Sequence, residues 1–167
     1  MVKGTLKSPR PRGCARRLLR APIWLYRLRL GWLLGRRFLL IEHRGRTSGK
    51  PRYTVLEVVR HDRRAGSYVV ASGWGRKADW YRNIRVTPEV RLMVGARRFD
   101  ARAVPLPVPE AGRELCSYAR AHPAAFRVLT RLIGGESAVP CDRAAESIPL
   151  VVLTKPLLRT PDSLTTH

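Results

Sequence analysis

Six short apolar, β-branched segments lie between Phe38 and Leu153, mostly joined by links too short for a crossover helix. Strands joined so tightly suit antiparallel pairing. The segments are Phe38–His43, Arg52–Arg60 (RYTVLEVVR) and Ser67–Ser72 (SYVVAS), then Glu89–Gly95, Arg97–Val104 and Ile148–Leu153. Val90, Leu92 and Val94 alternate with polar residues, as do Phe99, Ala101 and Ala103, and Gly95–Ala96 between them suits a hairpin turn. Ala78–Val86, Glu110–Ala121 and Ala124–Ile133 carry helical spacing. The pattern predicts an α+β domain, mainly an antiparallel barrel with short helices attached.

Charge is distributed unevenly. The 167 residues carry 33 Lys+Arg against 12 Asp+Glu, a formal net charge of +21. Eleven of those cations precede Phe38, where there is no acid, leaving 22 for the remainder. The sequence therefore divides into a basic arm and amphipathic helix (1–37), a barrel domain (38–156) and a polar tail (157–167). Within residues 14–37, Leu18, Trp24, Leu25 and Trp32 interleave with arginines, too charged to span a bilayer and suited to an anionic membrane surface. The expectation is a cytoplasmic protein, with this segment able to hold it peripherally on the inner face of the cell membrane. Packing of the same apolar face on the barrel is the competing reading.

Self-contained catalytic chemistry is missing. Gly45–Lys50 (GRTSGK) is one residue short of a phosphate-binding Walker loop, and Pro51 stands where the hydroxyl belongs. His43, His61, His122 and His167 are scattered without metal spacing, so no metal site is expected and no catalytic residue is assigned. Cys14, Cys116 and Cys141 form no CxxC pair and read as idle thiols in a reducing compartment. An enzyme built this way must take its reactivity from a cofactor.

Two clusters stand out. Arg44–Arg52 (RGRTSGKPR) joins two strands and offers four cations, two hydroxyls and two glycines, a set that suits a dense anion as well as a solvated turn. Ala71-Ser72-Gly73-Trp74 ends a strand in small residues that let a flat ring approach. Asp79-Trp80-Tyr81-Arg82-Asn83 then opens a helix whose aromatics suit either a groove or the core.

Taken in order, LLIEHRGRTSGKPRYTVLEVV, VVASGWGRKADWYRNIRVTPEVRLMV and a final IPLVVL resemble the deazaflavin (F420)-dependent nitroreductase family, across about Leu39 to Lys155. The resemblance implies a flavin-like split β-barrel with an N-terminal amphipathic helix, coenzyme F420 (an 8-hydroxy-5-deazaflavin) as cofactor, and hydride transfer from its C5. It implies that Arg46, Thr47, Ser48 and Arg52 face the phosphate and glutamate tail, and that Tyr53, Thr54, Val55 and Leu56 run along the ring or its linker. Ala71, Ser72 and Gly73 pass near the deazaflavin, while Trp80, Tyr81 and Asn83 close the groove. Members that reduce nitroimidazoles carry a tyrosine-rich segment where this chain has His122–Phe126, so cofactor binding is better supported than any acceptor. The implied partner is a small-molecule hydride acceptor, flat and hydrophobic, such as a quinone or nitroaromatic. A basic nucleic-acid-binding barrel and a non-catalytic flavin, haem or lipid carrier are the alternatives. The first is disfavoured because the basic excess is N-terminal.

Overall fold

A computed structural model describes residues 37–132 and 139–155. Residues 14–36 of the amphipathic segment, and the tail, lie outside them. Strands β1 (Phe38–Arg44), β2 (Pro51–Asp62), β3 (Ser67–Ala71), β4 (Glu89–Val94), β5 (Arg97–Pro105) and β6 (Leu150–Thr154) close into a barrel in the order β1-β2-β3-β6-β5-β4, every pair antiparallel. The helices are α1 (Asp79–Ile84), α2 (Val108–Ala121), α3 (Pro123–Leu132) and α4 (Cys141–Ser147), with a 3₁₀ turn at Gly75–Lys77 before α1.

Side-chain alternation builds two cores from one sheet. Leu39 and Ile41 of β1, Val70 of β3, Leu92 of β4, and Val151 and Leu153 of β6 point inward and are fully buried. On the outer face of β3 and β6, Val69, Ala71 and Leu150 meet Ala111 and Leu115 of α2, Leu129 of α3, and Ala144 and Ala145 of α4. The apolar run VVA is thus buried on both faces, which explains why it does not alternate.

Helix limits follow local chemistry. Pro107 and Pro109 start α2, with Glu110 in its first turn against the positive end of the helix dipole. Pro140 and Asp142 do the same for α4, a helix the sequence reading did not include. Its end displaces the last strand: Ile148 caps α4, and β6 begins only after Pro149.

A polar cluster fastens the start of β1 to α2. Arg37 donates from Nε and Nη2 to Glu57 Oε1, each at 3.1 Å, and the Tyr118 hydroxyl donates to the same oxygen. Burial, reinforced by Glu57, pushes the Tyr118 phenol up to about 12.

The cysteine reading requires correction. Cys116 and Cys141 are not idle thiols but form a disulfide between α2 and α4, with Cα atoms 4.9 Å apart. The two helices pack side by side, which a separation of 25 residues along the chain conceals. Closing a loop of that length should stabilise the fold by about 3 kcal/mol, through the unfolded chain's lost freedom. Reduction, or replacement of both cysteines by serine, is expected to lower the urea midpoint accordingly, with intact mass under non-reducing conditions reporting the bond. An unchanged midpoint would show that the link contributes nothing.

Candidate functional site

The β1–β2 connection is where the clustered cations lie. Gly45 N–H donates to Lys50 C=O at 2.9 Å and Gly49 N–H to Gly45 C=O at 2.7 Å, folding residues 45–50 into a tight loop. Gly49 sits at φ 63°, a conformation a side chain would strain. Thr47, Ser48, Lys50 and Arg52 are all exposed on this loop and the strand that leaves it.

Arg46 differs from its neighbours because it is tied down. Its backbone N–H and its Nη1 both donate to Asn83 Oδ1, at 3.1 and 3.0 Å, and Nη1 also reaches Asp79 Oδ1 at 3.1 Å. Asn83 is buried at 4% exposure and its Nδ2 lies 3.1 Å from His43 Nδ1. His43 Nε2 in turn lies 3.3 Å from Thr54 Oγ1. An arginine has only donors, so Asn83 must turn its carbonyl to Arg46 and its NH₂ to His43. His43 Nδ1 is therefore the acceptor, and Nε2 carries the proton toward Thr54. The chain Arg46–Asn83–His43–Thr54 joins loop, α1, β1 and β2.

His43 was not among the expected site residues, although a signal existed: it keeps the inward parity of Leu39 and Ile41. An imidazole there is 3% exposed and must find partners inside. Burial pulls its pKa down to about 4, with the charge of Arg52 adding to the effect and a backbone hydrogen bond at Arg44 and the charge of Asp79 offsetting part of it.

The remaining expected residues fall into distinct places. Tyr53 is 41% exposed; Val55 packs with Leu40 and Met93 outside the barrel, and Leu56 faces its interior. Trp80 and Tyr81 are each 4% exposed, edge to face at 6.0 Å, and join the barrel core as the plug that α1 drives into it. Ala71 faces the helix layer. The Ser72 hydroxyl donates to Gly75 C=O at 2.8 Å and its N–H to Pro149 C=O at 3.1 Å. Gly75 lies at φ 63°, where a Cβ would come within 2.9 Å of Ser147 C=O, so the turn carrying Ser72 and Gly73 into α1 requires glycine. The structure thus joins Arg46, Thr54 and Asn83 in one network, and records no hydrogen bond from Ala71, Ser72 or Gly73 to the loop.

A cavity of about 850 Å³ opens beside the loop, bordered by His43, Arg44 and Pro51 and, across from them, by Arg91, Arg102 and Lys155. Two of those cations are already paired, Arg91 with Asp100 at 3.0 Å and Arg102 with Glu89 at 3.1 Å. Among the described residues no group of histidines, cysteines and carboxylates is placed to hold a metal ion. The site offers cations and hydroxyls, and suits an anionic organic ligand.

The closed six-stranded antiparallel barrel with its attached helices is the split-barrel class expected from the sequence. Residues 19–140 match the family described as F420H(2)-dependent quinone reductase, and the chain belongs to that family. It is an F420-dependent oxidoreductase. A solved F420-H2 dependent reductase (FDR-A) shares the fold at 23% identity and a TM-score of 0.50, over 71% of this chain and 94% of its own. The haem storage protein HutZ from Vibrio cholerae does so at 15% identity and 0.51, over 81% and 89%. A putative pyridoxamine 5'-phosphate oxidase from Listeria innocua matches at 13% and 0.50, over 80% and 94%. No curated protein sequence matches the chain.

The buried histidine gives a pH signature. Unfolded, His43 takes its proton near its ordinary 6.5; folded, only near about 4. The unfolded state therefore binds more protons in between, and the stability present above 6.5 is lost as the pH falls through about 4. Urea midpoints measured across this window should fall more steeply for the native chain than for His43→Gln; equal slopes would place the acid sensitivity elsewhere.

Proposed function

We propose that the protein uses reduced F420 to reduce a quinone or similarly flat, apolar acceptor, with the cofactor held at the β1–β2 loop. The observation that carries this reading is the loop itself: Arg44, Lys50 and Arg52 are exposed beside the hydroxyls of Thr47 and Ser48, and Arg46 fixes the loop to α1. A cofactor bearing a phosphodiester and several carboxylates fits that donor set. When bound, reduced F420 supplies a hydride from its C5.

The chain's own residues bind, orient and exclude water. Lys50 and Arg52 hold the anionic tail, with Thr47 and Ser48 donating to it, and Arg46 keeps the loop in register. Tyr53 and Thr54 flank the ring or its linker, with Ser72 and Gly73 forming the strand end nearest to it; Val55, Leu56 and Ala71 support these positions from the barrel wall. Trp80 and Tyr81 keep water from the barrel mouth, and Asn83 fixes the loop's approach. Orientation in a dry site is the protein's main contribution to hydride transfer. Residues 14–37 lay the enzyme on an anionic membrane, where apolar quinones partition.

Arg52→Ala should weaken binding of F420 with a long glutamate tail by about 1.5–3 kcal/mol, and binding of the tail-less precursor by much less. Fluorescence titration of both ligands measures this; equal losses would mean that Arg52 does not reach the tail.

The membrane reading predicts flotation of the full chain with phosphatidylglycerol liposomes at low salt, weakening as salt screens the arginines. A chain beginning at Arg37 should stay in the soluble fraction. If both forms stay there, residues 14–36 do not bind lipid.

A further inference from the structure

The interior of the Arg46–Asn83–His43–Thr54 chain contains a titratable group that F420 binding does not itself require. We infer that His43 is a positioning residue: while neutral, it holds the Asn83 amide in the orientation that pins Arg46, and its protonation reverses that orientation and frees the Arg46 backbone N–H from Asn83, leaving Asp79 as the loop's tie to α1.

The logic is one of donors and acceptors. Asn83 has one acceptor atom, and Arg46 uses it twice, through its backbone N–H at 3.1 Å and Nη1 at 3.0 Å. The amide is held that way round only while its NH₂ finds an acceptor 3.1 Å away at His43 Nδ1. A protonated imidazole donates from both nitrogens, so Nδ1–H would face the NH₂ of Asn83. Turning the amide to satisfy His43 would point its NH₂ at two donors of Arg46. Either the histidine or the loop then loses its partner, and a buried donor without an acceptor is costly. Asp79 alone, 82% exposed at its side chain and 3.1 Å from Arg46 Nη1, would still hold the guanidinium, but nothing would hold the Arg46 backbone N–H.

The charge of Arg52 on β2 favours the neutral ring, against a backbone hydrogen bond at Arg44 and the carboxylate of Asp79 on α1. Across the cavity, the acids Glu89 and Asp100 are each engaged by an arginine, Glu42 lies beside Arg91, and Lys155 adds a further cation. With burial acting in the same direction, the histidine is driven down to about 4, so the lock is closed at neutral pH and opens in acid.

The effect on the cofactor rests on the loop being the F420 site, so the test has two readouts. In the ¹⁵N-labelled full chain, the His43 ring resonance and the Arg46 backbone amide should titrate with one midpoint, well below the ordinary histidine value. His43→Gln, whose side-chain carbonyl accepts from Asn83 at every pH, should leave the Arg46 amide unmoved over the same range. Separate midpoints in the native chain, or the same Arg46 titration in His43→Gln, would overturn the lock; the first needs no variant to fold. In the second readout, F420 should bind the native protein about twofold more weakly at pH near 4, where half of His43 is protonated, than at pH near 7.5, relative to His43→Gln. Equal pH dependence in the two would overturn control of the cofactor site by His43. Coincident midpoints with no F420 binding at any pH would instead leave the lock standing and remove the loop as the F420 site.

Discussion

Closure of the barrel depends on β2. Its 12 residues serve two neighbours in turn: Pro51–Glu57 pair with β1, and Glu57–Asp62 with β3, the register shifting between Val58 and Arg60. A straight strand of ordinary length would leave β1 and β3 stacked on the same stretch and the sheet open. Dividing one long strand staggers its partners, and a staggered sheet can tilt and meet itself where β1 pairs with β4. The same division leaves the first half of β2 without β3 alongside, next to the loop that bears the cations.

That geometry explains why the site is where it is. The mouth at which β1 exits needs a lid, and α1 supplies one with Trp80, Tyr81 and Ile84 directed into the core. A helix of 6 residues has little stability of its own, so it is held by packing and by Asn83, which reaches both the loop and His43. One buried amide thus fixes the lid to the mouth and orients the cationic loop. The second core, beneath α2, α3 and α4, lies on the opposite side of the β3–β6 wall, and the Cys116–Cys141 link strengthens it without touching the loop.

Strand positions were legible because one face of each is forced inward; Val90, Leu92, Ala101 and Ala103 announce their faces by period two. The family, its cofactor and the barrel were legible because the loop and the WYxN segment keep their order along the chain. Three things were not. Helix α4 lies in an alanine- and charge-rich stretch, CDRAAES, whose burial comes from small residues packing on α2 and not from an apolar stripe. The disulfide follows from that same packing. His43 keeps the inward parity of Leu39 and Ile41, but it stands at the end of the strand pattern, and its enclosure comes from the meeting of β1 with α1. For Trp80 and Tyr81 the sequence permitted groove or core, and burial places them in the core.

The proposed role of the β1–β2 loop is to favour an acidic deazaflavin over a flavin with one phosphate. A fluorescence titration of the full chain with F420 and with FMN, under identical salt and pH, tests it most directly. F420 should bind more tightly, with the margin shrinking as salt screens the loop. Equal or tighter binding of FMN would contradict it.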